Sequence, residues 1–438
     1  MAAKHTMKAS PLLLLACALA IPMAASAAPE RLTVDQAVRL AIAASPQIAA
    51  ARADVAAAED QALSVRGRLL PGVHVSDTQQ HYFTSPDISF AIIPHAPAAT
   101  LAVHDINTNA FVLGAAQPLL GLVGLSDRYR AANETAAAAQ KAEHALEADL
   151  TARVKTGLYR LFEARATAKI AQASVQQLSD QLSVAKSRLK AGEVTNADVL
   201  RIDTAVANAR QEVLQAQVAA DVARQGLLTA LGLPLDSDAD FVEPSSLATP
   251  APPTLTDAER LASRDRPELA AAESEARAAR HQSDAARWSL APDIDLSAAY
   301  VHLEGQVLAV KDEAYLGLQL SWAPFSWGAD WYQAQAAAER AAAAEAQVEA
   351  ERRSISLEVA SRLSQVEAAA SAVDVARTGI ASAQEAYRVT KALVKFGTAT
   401  TTDLLSAQAA LTQAKLNLVR ANYERAIVEV ALERALGR

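Results

Sequence analysis

The chain has 438 residues, of which 51% are hydrophobic, 21% charged and only 4% aromatic, with a formal net charge of −8. Alanine supplies nearly a quarter of the sequence while Gly and Pro number 15 and 17, a composition that favours long helices and excludes general disorder and an all-β globule. Basic residues (41) and acidic residues (49) are interspersed without a like-charge block, which excludes a nucleic-acid groove, and the single Cys17 excludes a disulfide framework or a Cys-based zinc site.

Lys4 and Lys8 precede an apolar run from Pro11 to Ala25, followed by Ala25-Ser26-Ala27, the small-x-small pattern that a signal peptidase cuts. Residues 1–27 are therefore expected to be a signal peptide. Leu14-Leu15-Ala16-Cys17 also admits a lipoprotein signal that leaves Cys17 acylated, although the apolar run continues well past Cys17. Beyond residue 28 no run of about 18 apolar residues occurs, so a spanning helix is not expected. A membrane-spanning form would have to be a closed barrel.

The mature sequence reads as one unit written twice. At one constant offset Thr33 pairs with Thr254, Arg39 with Arg260, Pro46 with Pro267 and Pro71 with Pro292. At a slightly shorter one Gly192 pairs with Gly397, Asp198 with Asp403, Leu200 with Leu405 and Ala209 with Ala414. The difference falls in the hairpin region, where a surface loop absorbs extra length cheaply. The expected domains are residues 28–234 and 255–438, joined by a Pro-rich linker over 235–254.

Each half is expected to contain a short helix, a medium helix, a strand hairpin, one very long helix and a second medium helix. In the first half, helices are placed at about 47–70, 126–190 and 195–231, with strands at 72–84 and 107–117. In the second half, helices are placed at about 268–291, 329–395 and 400–435, with strands at 293–304 and 314–323. A helix of roughly 65 residues is ~100 Å long, too long for a globule. Val199, Ile202, Val206, Ala209, Val213 and Ala216 alternate steps of three and four, a heptad seam repeated by Leu404, Ala407, Leu411, Ala414 and Leu418. Other faces carry mostly Ala, Ser and Gln, which suits a wall one helix thick; a solid helical bundle is the plainer alternative.

Ala314, Leu316, Leu318, Leu320 and Trp322 alternate with Tyr315, Gly317, Gln319 and Ser321, giving a strand with one apolar and one small or polar face. Four strands cannot close a barrel, whose minimum is about eight. Symmetric copies must supply the rest, and three copies would give twelve strands. Rare aromatic residues gather where hairpin meets helix: Trp322, Phe325, Trp327, Trp331 and Tyr332, with Trp288 just before the preceding strand. Such rings suit the lipid headgroup level, and a soluble aromatic mini-core is the alternative.

Two helix-hairpin turns carry a family resemblance: Arg188-Leu189-Lys190-Ala191-Gly192-Glu193-Val194-Thr195-Asn196-Ala197-Asp198-Val199-Leu200 and Leu393-Val394-Lys395-Phe396-Gly397-Thr398-Ala399-Thr400-Thr401-Thr402-Asp403-Leu404-Leu405. With the duplicated halves and strand hairpins, the sequence resembles the TolC-like outer membrane factors over about 30–436. Gly192 and Gly397 suit a left-handed helix end, and Thr195 and Thr400 suit caps of the returning helices.

The resemblance implies a mainly α fold with a β-barrel portion. It also implies a homotrimer, with a twelve-stranded outer-membrane barrel continued by a twelve-helix periplasmic tunnel. Implied partners are a periplasmic adaptor, an inner-membrane pump driven by protons or ATP, and outer-membrane lipid. The tips would meet the adaptor, which carries over Leu189, Gly192, Thr195, Val199, Val394, Gly397, Thr400 and Leu404 as contacts. Asp198 and Asp403 would form carboxylate rings at the channel entrance that favour cations. Ser406 and Ala399 depart from the family's gate pattern and put tight salt-bridge gating in doubt.

No Gly-rich phosphate loop, H-E-x-x-H or nucleophile elbow is present, so neither an enzyme nor a cofactor is expected. His74, His81, His95 and His104 gather in the first hairpin with spacings that match no ligand grammar. The expected function is a passive exit duct of a tripartite efflux system. A duct for type I protein secretion is the alternative within transport, and a periplasmic coiled-coil structural protein is the alternative outside it.

Overall fold

The computed structural model describes residues 31–90, 99–244 and 251–438. The expected signal peptide with Cys17, and His95, lie outside the described residues. A two-residue strand β1 (Arg31–Leu32) leads into α1 (Val34–Ala44), whose N-cap Thr33 forms a capping box with Gln36. Ser45 has extended backbone and Pro46 follows at the first helical position, so the chain turns and restarts as α2 (Pro46–Gly67).

Next come β2 (Gly72–His81), a small outer hairpin of β3 (Asp87–Phe90) with β4 (Ala99–Ala102), and β5 (His104–Pro118). They are followed by α3 (Gly121–Lys190), α4 (Asn196–Ala230) and β6 (Asp240–Phe241). The same succession then recurs as α5 (Leu255–Asp265), α6 (Pro267–Trp288), β7 (Asp293–Gln306), β8 (Asp312–Ser321), α7 (Ala329–Lys395) and α8 (Thr401–Ala435). Corresponding helices match closely: 11 and 11, 22 and 22, 70 and 67, 35 and 35 residues.

At 1.5 Å per residue, α3 and α7 are rods of about 100 Å. Toward the sheet, α2, α3, α6 and α7 lie side by side; away from it, the order is α4, α3, α8, α7. The long rods form a wall one helix thick, with the short α1 and α5 laid against α3 and α7, and among the described residues α2 and α4 at one end and α7 at the other have no further rod beyond them. Much of the large-residue core sits midway along the rods, where Leu32, Leu158, Leu161, Leu228, Leu231 and Phe241 are buried together. There β1 pairs in parallel with β6, tying the N-terminal segment to the inter-repeat linker. Arg165 reaches Asp240 at 2.9 Å and Tyr423 donates to Glu243, so the linker is also fastened to α3 and α8.

The main sheet has the order β2-β5-β7-β8, antiparallel throughout. Register settles the facing of the first-half strands, whose own alternation is irregular. Val73, Ala115, Ala298 and Leu316 form one cross-strand row, and Val75, Leu113, Tyr300 and Ala314 the next. Side chains paired across strands share a face, so one face is largely apolar. Rows on the other face are Gly72, Ala116, Ser297 and Gly317, then His74, Gly114, Ala299 and Tyr315. Gly114 has a local cause: a Cβ there would fall 2.2 Å from the His74 ring.

Candidate functional site

The two helical turns are built alike. At the end of α3 the Glu193 N–H donates to the Arg188 carbonyl at 2.9 Å and the Gly192 N–H to Leu189 at 3.0 Å; Thr398 to Leu393 (3.0 Å) and Gly397 to Val394 (3.2 Å) repeat this after α7. This double closure needs a left-handed residue just past the helix, and Gly192 and Gly397 have φ of +78° and +74°. Nothing lies within 4 Å of a Cβ added at either glycine, so backbone conformation alone selects the residue type.

The returning helices begin with matched capping boxes. The Asp198 N–H donates to Thr195 Oγ1 at 3.2 Å, while the Thr195 hydroxyl and N–H donate to Asp198 Oδ2 at 2.6 and 3.2 Å. Asp403 and Thr400 repeat the pattern at 3.2, 2.7 and 2.8 Å. Asp thus replaces the usual Glu or Gln at the third helical position. The bond from the Thr195 hydroxyl holds the Asp198 carboxyl below its ordinary value, and the Thr400 hydroxyl does the same to Asp403. Each carboxylate is therefore ionised and fixed in direction at a helix N-terminus.

The tip residues singled out from the sequence divide into three groups. Gly192, Thr195, Gly397 and Thr400 are exposed at the turns. Leu189, Val394 and Leu404 are half-buried, and the last two line a groove of about 490 Å³ between the hairpins of the two repeats. Val199 is a correction: at 6% exposure it is buried beside Ala185 and Ile202, with Leu405 of the other repeat packed against the same cluster, and its side chain does not stand at the surface of the chain. The heptad seam that contains it already required that burial. Sequence reading passed over Phe396, 79% exposed at the end of α7, and Leu200 beside Val199. A large aromatic at the end of an alanine-rich helix was the available signal.

The aromatic residues form two groups. Trp322, Phe325 and Trp331 line a hollow of about 830 Å³ at the β8–α7 junction. Phe325 contacts Trp327 at 4.9 Å between ring centroids, and Trp331 contacts Tyr332 at 4.9 Å. Trp288 stands apart, against Gly124 near the start of α3. Of the first-hairpin histidines, His81 bonds Asn107 at 2.7 Å and His104 stacks on Tyr82 at 4.1 Å. Among the described residues no group of three or more His, Cys, Asp or Glu is placed to hold a metal. None of the described helices is long and apolar enough to cross a membrane.

The family profile described as outer membrane efflux protein matches residues 37–233 and 260–438. Outer membrane efflux protein BepC of Brucella suis biovar 1 (strain 1330) is 26% identical over 281 residues, covering 64% of this chain and 61% of that protein. The chain thus spans about three fifths of the length of that curated relative. Among solved structures, the outer-membrane channel OprN superposes with a TM-score of 0.78 at 20% identity, over 92% of this chain and 89% of that one. The outer membrane protein VceC from Vibrio cholerae gives 0.78 at 18% identity, over 92% and 96%. At these identities the likeness is one of fold, over about nine tenths of the chain. Two matched stretches spanning both repeats identify the chain as a member of the outer membrane efflux protein family.

Proposed function

We propose that three copies of this chain form a ring and act as the passive outer-membrane exit duct of a tripartite efflux system. One observation carries this reading: the four-stranded sheet has two unpaired edges, β2 and β8, directly above the two open ends of the helical wall. A sheet exposed in this way in lipid would leave backbone donors and acceptors unmet, and closure with other copies satisfies them. With strands alternating in direction, β8 of one copy meets β2 of the next in antiparallel sense. Three copies supply twelve strands, enough for an open lumen, whereas two would supply eight and fill it with side chains.

In this ring the apolar rows face lipid and the rows containing His74, Ser297 and Gly317 face the lumen. Trp322, Phe325, Trp327, Trp331 and Tyr332 occupy the periplasmic headgroup level, with Trp288 nearby. The tips, with Leu189, Gly192, Thr195, Val394, Gly397, Thr400 and Leu404, meet a periplasmic adaptor, joined there by Phe396 and Leu200. Asp198 and Asp403 contribute the negative charge of the entrance. Substrates arrive from an inner-membrane transporter, which supplies the energy, and leave without chemical change. The name of the Brucella relative favours efflux over protein secretion.

Reconstitution of the purified protein in planar bilayers tests the duct. Discrete single-channel conductance from a three-chain particle is expected, and a soluble single chain without conductance would overturn it. A deletion strain scored for drug sensitivity and for loss of exported proteins distinguishes efflux from secretion.

A further inference from the structure

We propose that the hollow at the β8–α7 junction seats the ammonium headgroup of a zwitterionic phospholipid of the periplasmic leaflet, an inference that rests on the membrane-facing reading above. Its walls include the rings of Trp322, Phe325 and Trp331, the carboxylates of Asp293 and Asp330 and the hydroxyl of Ser326, around about 830 Å³. That volume is in the range of small-ligand sites. No Lys or Arg is among the lining residues, and neither carboxylate has a basic partner among the described residues. Aromatic faces attract an alkylammonium through the ring quadrupole, and carboxylates beside them add to that attraction.

The level of the hollow points to lipid. Trp322 lies two residues beyond Leu320 and continues the row of Leu316, Leu318 and Leu320 on one face of β8. From Trp322 to Ala314 the strand rises roughly 27 Å, about 20 Å of height at a barrel tilt of about 40°. The hollow therefore opens at the lower edge of the apolar band, where a phospholipid places its headgroup. Trp322, Phe325 and Trp331 are each more than half exposed, as rings waiting for an occupant outside the chain would be.

Charge decides which headgroup. Asp293 belongs to the opposite face of the sheet and reaches the hollow because it is the first residue of β7. Asp330 sits in the first turn of α7, and its N–H donates to Ser326 Oγ at 3.4 Å, which leaves the Ser326 proton for a phosphate oxygen. An anionic headgroup would bring its net charge to two carboxylates with no cation on the wall to offset it. A zwitterion brings none, and its ammonium meets rings and carboxylates together.

Native mass spectrometry of the full chain, purified in an uncharged detergent and incubated with equal amounts of phosphatidylethanolamine and phosphatidylglycerol of matched acyl chains, tests the seat. Up to three phosphatidylethanolamines per three-chain particle are expected, retained about fivefold over phosphatidylglycerol. Asp330→Asn and Trp331→Leu should each lower that preference toward unity, and Trp331→Phe should keep most of it. Equal retention of both lipids by the unsubstituted chain, or an undiminished preference in both Asp330→Asn and Trp331→Leu, would overturn the seat. Displacement of the bound lipid by free ethanolamine at equal concentration would assign the hollow to a soluble amine and overturn the lipid. Loss of the three-chain particle in Trp331→Leu, with the lipid preference unchanged in Asp330→Asn, would give the hollow to the next copy and overturn the proposal. A single-chain mass for the unsubstituted protein would overturn the ring itself, whatever the lipid result.

Discussion

Gln177 on α3 donates to the Tyr387 hydroxyl on α7 at 2.6 Å, a direct side-chain link between the hairpins of the two repeats. Gln181 donates to the same oxygen at 3.2 Å, and the buried Gln408 of α8 donates to Gln177 at 2.9 Å. Three helices thus share one polar knot, roughly 10–20 Å above the tips. Tyr387→Phe keeps the ring and removes the shared oxygen, leaving two amides without their acceptor. Such a loss shifts the balance between joined and parted hairpins by about 1–2 kcal/mol, a factor of roughly 5–30. The expected outcome is a higher open probability in bilayers with little change in melting temperature, since the mid-rod core is untouched. Unchanged gating would show that the knot is structural only.

Replacing Gly192 or Gly397 by Val should leave the protein in the outer membrane but impair export. The space around each is open, so the cost is that of a left-handed β-branched residue, about 1–2 kcal/mol, confined to the turn. Asn, which tolerates this conformation better, should give an intermediate effect. Membrane fractionation and drug susceptibility of a complemented deletion strain measure the two halves of the outcome. Full export by both Val variants would remove these turns from the adaptor surface.

The tips were legible in the sequence because their chemistry is local. A glycine that ends a helix and a Thr-x-x-Asp that starts one act within a few residues, and a duplicated pattern supplies the check. The strands of the second hairpin were legible for the same reason, through the alternation of Leu316, Leu318 and Leu320. The facing of β2 and β5 was not, because Gly114 answers to His74 and the rows are completed across strands. The short pairing of Arg31–Leu32 with Asp240–Phe241 left no trace either, since two residues are too few for a period. Val199 illustrates a different limit: a motif marks the turn, but burial within the hairpin decides which of its residues reach the surface.

The two aspartate boxes predict an acid-sensitive tip. Hydrogen bonds from Thr195 and Thr400 lower the proton affinity of Asp198 and Asp403 in the folded state relative to the ordinary value of 3.8. Their contribution is therefore complete above that value and is lost as pH falls through the lower folded value. Acid-tolerant protease nicking at the turns should rise below about pH 4 while the core stays protected. Asp198→Asn with Asp403→Asn should raise nicking at neutral pH and flatten its dependence on acid. The same double variant should weaken cation selectivity, read as a shift in reversal potential; an unmoved potential would leave both residues as caps alone.

Trp327 holds a left-handed backbone, φ +53°, immediately before Gly328 at +79°, and its side chain is 86% exposed. An L residue in that conformation costs about 1–2 kcal/mol, and a contact with the equally outward Phe325 is a small return. In the membrane-facing reading proposed above, the turn continues the apolar face of β8 through Trp322 and the compensating interaction lies outside the chain, where an indole gains from sitting among lipid headgroups. Trp327→Gly should relieve the backbone and raise the melting temperature in detergent by a few degrees. In liposomes it should abolish a large share of the tryptophan quenching by lipids brominated near the headgroup, and slow insertion into the bilayer. Trp327→Phe should keep insertion without the detergent gain. If Trp327→Gly instead lowers the detergent melting temperature, the ring is held by packing within the protein, and the membrane anchor assigned to it is wrong.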